Sequence, residues 1–450
     1  MHIINEYNGL LIIIPTRNRS DLAINAILSV LNQPNCEEVK VLVSDNSTDL
    51  KDIEILYKFC QATSDERLSY IKPPEPLSMT KHWDWAVNQA FEKYTISHLL
   101  YLTDRMIFKF GQLKELINIV KRYPDYIVSY NLDLIIDDRK PIKLVQREWS
   151  GKLHKIKSTQ LLLLSSQASF HGLEWSMINC LPKMLNCITP CTILHQISTK
   201  FGNTFGSISP DYNFCYRSLE LVESIIYFDK SPILHYAISQ SNGASFVRGI
   251  MSKASSDFLA NLGQSDFCSA TPIPSIHTVG NAIWHEYCTV KKETGSTKFP
   301  DIDMNCYLNY LGSETSKIIN PELKAEMQAT LSTYGWLPPV ESKEIKSLKK
   351  EDLLLMGNKL LSPSIVWNKI MMIVKTKIFI KIKYAQPFIL FLANNFGLIP
   401  PKYIDCYFDF NTLEDAFAYA NKFPKSSYTT YDGKSFVEKI LENDCLDISL

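Results

Sequence analysis

Glycine is scarce, at 16 of 450 residues, about half the roughly 7% of an ordinary protein. A glycine-rich phosphate cradle is therefore not expected. The chain has no G-x-G-x-x-G after a strand-like run and no G-x-x-x-x-G-K-[ST]. Its 11 cysteines are scattered singly with no C-x-x-C, so zinc ribbons and thioredoxin-type sites have no support. An odd, dispersed count in a large chain reads as free thiols in a reducing compartment. Neither sign of charge dominates: Lys and Arg number 47, and so do Asp and Glu. That excludes a broad electrostatic grip on nucleic acid. The first apolar run, Leu10 to Ile14, is short, has no basic segment before it and meets Pro15-Thr16-Arg17. It reads as a buried strand and not as a signal peptide. The expectation is a cytoplasmic protein.

What remains is globular. Apolar residues make up 46% and charged residues 21%, enough for a core, and the length suggests two or three domains. Apolar runs recur at Leu10–Ile14, Val39–Val43, Leu68–Ile71, Leu99–Leu102 and Ile127–Tyr130. The first and fourth are almost continuously apolar, as strands covered on both faces are. Helical patterns lie between several of them. Ser20 or Asp21 is placed to cap the first and Asp49 or Asp52 the second. Ser78–Phe91 carries a stripe of Trp83, Ala86, Val87, Ala90 and Phe91, and Gly111–Tyr123 carries Leu113, Leu116, Ile117 and Val120. This alternation predicts an α/β fold with a mostly parallel sheet flanked by helices.

Ligands of such sheets bind beyond the carboxyl ends of the strands. There the chain places Pro15-Thr16-Arg17-Asn18-Arg19, Ser44-Asp45-Asn46-Ser47-Thr48-Asp49 and Thr103-Asp104-Arg105. Carboxylates, arginines and hydroxyls from three loops in register predict a binding cleft, although Asn-Ser-Thr-Asp is also ordinary turn chemistry.

On these loops the sequence resembles the family 2 glycosyltransferases of the GT-A fold. The stretch LLIIIPTRNRSDLAINAILSVLNQ followed by VKVLVSDNSTD is similar to that family's I-P-T-x-N-R…S-[VI]-L-x-Q and V-x-D-x-S-T-D pattern. HLLYLTDRMIFKFGQLKEL resembles its fourth strand, acidic motif and following helix, and SPDYNFCYRSLE its later acidic segment. The resemblance spans about residues 8–250. It implies transfer of a sugar from a nucleotide-diphosphate donor, a UDP-sugar, to a glycan or lipid-linked acceptor, with inversion. The alternative is a non-catalytic binding module of the same fold. A sugar nucleotidyltransferase is disfavoured because its G-x-G-x-R loop is absent.

The resemblance also assigns residues. Pro15, Thr16, Arg17, Asn18, Arg19, Asp45 and Asp104 become nucleotide-binding. Asp45 is the acid that accepts the base, or else the head of an Asx turn. Arg17 stands where many relatives have an aromatic. Asp104 becomes the ligand of Mg²⁺ or Mn²⁺, but the family usually shows two or three carboxylates here and this chain has Thr103-Asp104-Arg105-Met106. A thin metal site follows, or Arg105 in place of part of the cation's charge, or an Asp104 that only pairs with Arg105 or a neighbouring loop. Asp211 becomes the general base, or an N-cap for the helix after it. Arg217 is expected to find an acid. Trp175 is the acceptor-stacking candidate, and His235 reads as structural or as a metal ligand. Asp84, Asp133, Asp137 and Asp138 read as surface or turn residues.

The remainder is expected to be helical. Residues 1–250 form the GT-A domain, 251–340 a helical extension with a boundary at Thr330–Pro339, and 341–450 a C-terminal helical region. Within 363–401 lysines alternate with apolar residues and no uncharged run reaches the roughly 18 to 20 residues of a membrane span. That suits an interfacial helix on an anionic membrane, or a buried helix with snorkelling lysines.

Overall fold

The computed structural model describes residues 7–147, 151–168, 180–240, 268–337 and 405–421. Strand β1 (Leu10–Thr16) is central. It pairs in parallel with β2 (Val39–Asp45) on one side and β4 (His98–Tyr101) on the other, and β2 pairs in parallel with β3 (Leu68–Ile71). Helices α1 (Ser20–Leu31), α2 (Leu50–Ala62) and α3 (Met79–Lys93) make the crossovers. Successive β1 side chains point to opposite faces. Leu11 and Ile13 pack with Trp83, Ala86 and Val87 of α3. Leu10, Ile12 and Ile14 pack with Ala23, Ala26 and Ile27 of α1. Both faces are dry, which is why the strand reads as a continuous apolar run.

Beyond β4 the sheet changes character. The short β5 (Met106–Phe108) and α4 (Gln112–Arg122) lead to β6 (Val128–Ile136). Strand β7 (Ile142–Arg147) pairs antiparallel with β6, and β9 (Cys187–Pro190) lies antiparallel between β4 and β6. Strand β10 (Ser224–His235) pairs in parallel with β6 and antiparallel with β5 and with β8 (Leu153–Lys157). Helices α5 (Ser158–Ser166), α6 (Cys191–Phe201) and α7 (Pro210–Leu221) complete this half. The sheet is therefore parallel where the strand-to-helix alternation is regular and mixed where it lapses.

Helices α8 (Val279–Thr294), α9 (Met304–Ser316) and α10 (Pro321–Thr333) follow, capped by Thr278, Asp303 and Asn320. Their Trp284, Tyr287, Tyr307 and Leu311 join the same apolar cluster as α3 and α7. The compact unit runs on to Trp336, itself buried. Farther along, β11 (Asp405–Phe410) pairs antiparallel with β7, and α11 (Leu413–Asn421) sets Leu413, Ala416 and Phe417 against Ile142 and Leu144. Part of the segment expected to be helical thus completes a sheet edge. Residues 363–401 lie outside the described residues. Among the described residues no helix is long and apolar enough to cross a membrane.

Candidate functional site

The register of the parallel strands builds the site. Thr16 pairs with Asp45, and the Leu102 amide donates to the Ile13 carbonyl, so three loops leave the sheet on one edge. The loops are then laced together. Asn18 adopts a left-handed φ of 55°, which asparagine tolerates. Its Oδ1 accepts from the Thr48 and Asp49 amides at 2.8 and 2.9 Å, and its own amide donates to Ser47 Oγ at 2.8 Å. Helix α1 is capped from a neighbour: neither Ser20 nor Asp21 is its N-cap, and Asp52 Oδ1 accepts from Ser20 N and Oγ at 2.9 and 2.6 Å. Asp49 caps α2 as expected, accepting from the Lys51 and Asp52 amides.

Asp45 is fully buried. Its Oδ1 accepts from the Ser47 amide at 2.9 Å, closing an Asx turn, and its Oδ2 accepts from Tyr70 Oη at 2.8 Å. Burial raises the Tyr70 phenol and the Asp45 carboxylate adds to the rise, so the phenol stays a donor. Ser44 Oγ lies 2.8 Å from His82 Nε2. Burial, with Arg17 and Lys72 nearby, holds that imidazole down to about 3, hence neutral. Arg17 Nη1 donates to the Leu77 carbonyl at 3.2 Å, and the Asn46 amide group clasps the Leu77 backbone at 2.8 and 2.9 Å.

Asp104 is 1% exposed, and its Oδ2 meets both Thr16 Oγ1 and Arg19 Nε at 2.9 Å. Arg19 also donates to the Gln240 carbonyl. Arg105 is nearly buried beside this pair. Desolvation brings its guanidinium down to about 10 against the support of Asp104. Its Nη1, Thr103 Oγ1 and His235 Nε2 are buried atoms with no hydrogen-bond partner among the described residues.

The second half of the site is the loop from Asn203 to Ser209 that leads into α7. Asp84 Oδ1 accepts from the Thr204 and Phe205 amides at 2.7 and 3.2 Å. Thr80 Oγ1 donates to the Ser207 carbonyl at 2.9 Å. From α8, Glu286 accepts from the Ile208 and Ser209 amides at 3.0 and 2.7 Å and from Asn213 Nδ2 at 3.0 Å. Glu286 is fully buried, which pushes its carboxyl up to about 7. Arg217 reaches Asn203 Oδ1 at 2.6 Å and Glu293 at 3.6 Å, the acid expected for it. A Cβ on Gly206 would stand 2.7 Å from Arg217 Nη2, so the end of that side chain would have to shift. Asp211 sits in the first turn of α7, whose N-cap is Ser209. Burial raises its carboxyl above the usual range, against the pull of Lys183. A cavity of about 650 Å³ opens between α3 and this loop, lined by Leu77, Ser78, Trp85, Asn88, Asn203 and Ser207 among others.

Residues 11–176, which supply every strand-end loop described above, match the family model "Glycosyl transferase family 2". Over that stretch, less than half of its length, the chain is similar to the family 2 glycosyltransferases. No curated protein matches the chain. Among solved structures, S. aureus TarS 1-349 in complex with UDP-GlcNAc is similar at 12% identity and a TM-score of 0.40, over 72% of this chain and 89% of that one. The same TarS fragment without that ligand, and the longer TarS chain, of which 53% is covered, each score 0.38 at 12% identity.

Family 2 glycosyltransferases often use a divalent metal, and the described residues at this edge do not fit one. Among the described residues no three His, Cys, Asp or Glu side chains gather where they could hold an ion. The carboxylate expected to ligate one, Asp104, shares an oxygen with Thr16 and Arg19. Arg105 replaces the second carboxylate, and a divalent cation beside two guanidinium groups is repelled. His235 ends β10 beside Arg105 and not beside a carboxylate cluster. Of the weaker acids, Asp133 is buried and paired with Lys109, Asp84 holds the 204–205 amides, and Asp137 holds the Ala237 and Ile238 amides. Asp133 is thus a buried residue, whereas Asp84 and Asp137 are half-buried, Asp137 in the turn after β6. Trp175 lies outside the described residues. Sequence reading missed Tyr70, His82, Lys183 and Glu286. Tyr70, at the end of a predicted strand, carried a positional signal; Glu286, a single acid in a distant helix, carried none.

Proposed function

We propose that the protein transfers a sugar from a nucleoside-diphosphate donor, a UDP-sugar, to a hydroxyl of a glycan or lipid-linked acceptor, with inversion. One observation carries this reading. The segment 77–80 ties the two halves of the site together: Leu77 is held by Arg17 and Asn46 of the strand-end loops, and Thr80 holds Ser207 of the loop that runs into Asp211. In this reading the donor lies on the strand ends and the base at the head of α7, and the segment between them lines a cavity through Leu77, Ser78 and Thr80, with Ser207 of the loop before α7 on its other wall.

In this reading Asp45 accepts the N–H of the base with a lone pair left after Ser47 and Tyr70. Pro15 and Arg17 flank the base, and Thr16, Asn18 and Arg19 hold the loops in place. Asp211 takes the acceptor's proton. A carboxyl raised by burial is a better base at neutral pH than a solvated one, which is how proton transfer is matched to its task. The acceptor enters the cavity, where the Trp85 indole and the Asn88 and Asn203 amides offer the stacking face and hydrogen bonds that sugars use. Donor hydrolysis without acceptor, measured on a panel of nucleotide sugars, tests the reading. Release of UDP from at least one UDP-sugar supports it. Release from none, with nucleotide bound, favours the non-catalytic module.

A further inference from the structure

Charge must be neutralised where the donor's diphosphate leaves, and this site offers cations of its own. One oxygen of Asp104, Oδ2, is engaged by both Thr16 and Arg19. It acts as the anchor of Arg19. The next residue, Arg105, turns a nearly buried guanidinium into the same edge, with Nη1 unpartnered among the described residues. Its charged neighbours are Asp104, Arg19, Asp137 and the Tyr236 phenol. Asp137 is shared, since its two carboxylate oxygens also accept from the Ala237 and Ile238 amides at 2.9 Å. Thr103 Oγ1 and His235 Nε2 are also unpartnered there. A buried cation without a hydrogen-bonded partner is costly. A cluster rich in unspent donors, at the carboxyl ends of parallel strands, asks for a ligand rich in acceptor oxygens. Guanidinium groups match phosphate in a planar, two-point fashion.

We infer that Arg19 and Arg105, and not a divalent cation, neutralise the diphosphate of the nucleotide donor, with Thr103 and His235 as further donors to it. The inference rests on the donor reading proposed above. In the reaction the bond from the sugar's anomeric carbon to the diphosphate oxygen breaks, and its electron pair stays on that oxygen beside the two guanidinium groups. The acceptor oxygen forms the new bond, and its proton passes to Asp211. Nothing is oxidised or reduced.

Calorimetry on the full chain, with UDP and with uridine as probes, separates the alternatives. UDP should bind equally in EDTA and in Mn²⁺. Arg105→Met should weaken UDP on the order of 10- to 100-fold, the worth of charge-assisted bonds, and leave uridine unchanged. Arg19→Met, at a more exposed position, should act in the same direction and guards against a folding defect at Arg105, checked by circular dichroism. UDP affinity that appears only with Mn²⁺ overturns the inference, as does UDP affinity indifferent to both substitutions. If neither UDP nor uridine binds the wild type, the donor reading itself fails, and this inference with it.

Discussion

The two halves of the site are held by different kinds of bond. The strand-end half is fixed by neighbours: Thr16 against Asp45 in one register, Asn18 across to Thr48 and Asp49, Arg19 onto Asp104. The half at the head of α7 is fixed from afar, by Asp84 of α3 and Glu286 of α8 gripping the amides of the loop that leads into that helix. One half is a by-product of sheet geometry and the other is an assembly of separate segments. A substitution in the first should therefore alter binding, and one in the second should alter turnover.

Asp211→Asn should show the largest difference between them. An amide keeps the shape of the first turn of α7 but takes no proton. Transfer should fall on the order of 10²–10⁴-fold while UDP affinity holds, as read by a transfer assay beside calorimetry. Transfer within a few-fold of wild type would reduce Asp211 to a helix-start residue.

Glu286→Gln tests the distant grip. Glutamine still accepts from Ile208 and Ser209 but presents an amino group to Asn213, so the loop shifts. Turnover should drop on the order of tenfold, with UDP binding unchanged. The same variant has a pH signature. The folded carboxyl keeps its proton up to about 7, whereas the unfolded one releases it near 4.5. The folded state thus binds more protons in between. The stability this group contributes is present below the lower value and is lost as pH rises through the upper one, by about 3 kcal/mol at roughly 1.4 kcal/mol per unit. Urea melts across that window should show this slope in wild type and not in Glu286→Gln.

The strand-end half has the opposite pH signature. His82 stays neutral down to about 3, while an unfolded histidine takes its proton near 6.5. Stability from His82 is present above the higher value and is lost as pH falls toward the lower one. Replacing His82 with Gln should flatten the acid limb of the melt profile. The smallest effect is expected at Gly206→Ala. Its Cβ meets only the far end of Arg217, though one pinned by Asn203. A loss of about 1 kcal/mol, read by thermal melting, would sharpen the picture of a tightly seated loop.

The same contrast explains what could be read in the sequence. Leu10–Ile14 and Val39–Val43 announced buried parallel strands because both faces are covered, and turn-forming polar residues after them marked the edge. Asp45 and Asp104 were legible because position after a strand is itself a signal. That Asp104 would pair with a neighbouring loop was among the readings, but not that Arg19 would be the partner, since pairing across loops depends on register and side-chain reach. Glu286 was invisible because nothing in a helix beginning at Val279 shows which loop it will meet. Strand β11 was missed for the same reason: its partner β7 is remote in sequence, and long-range pairing leaves no local pattern.

The most direct test of the strand-end edge as a nucleotide site is calorimetry with UDP, GDP and CDP on wild type and on Asp45→Asn. The account predicts that wild type binds UDP most tightly and that Asp45→Asn, which loses acceptor capacity toward the base, weakens UDP selectively. Failure of all three nucleotides to bind wild type, with and without Mg²⁺ or Mn²⁺, would contradict it.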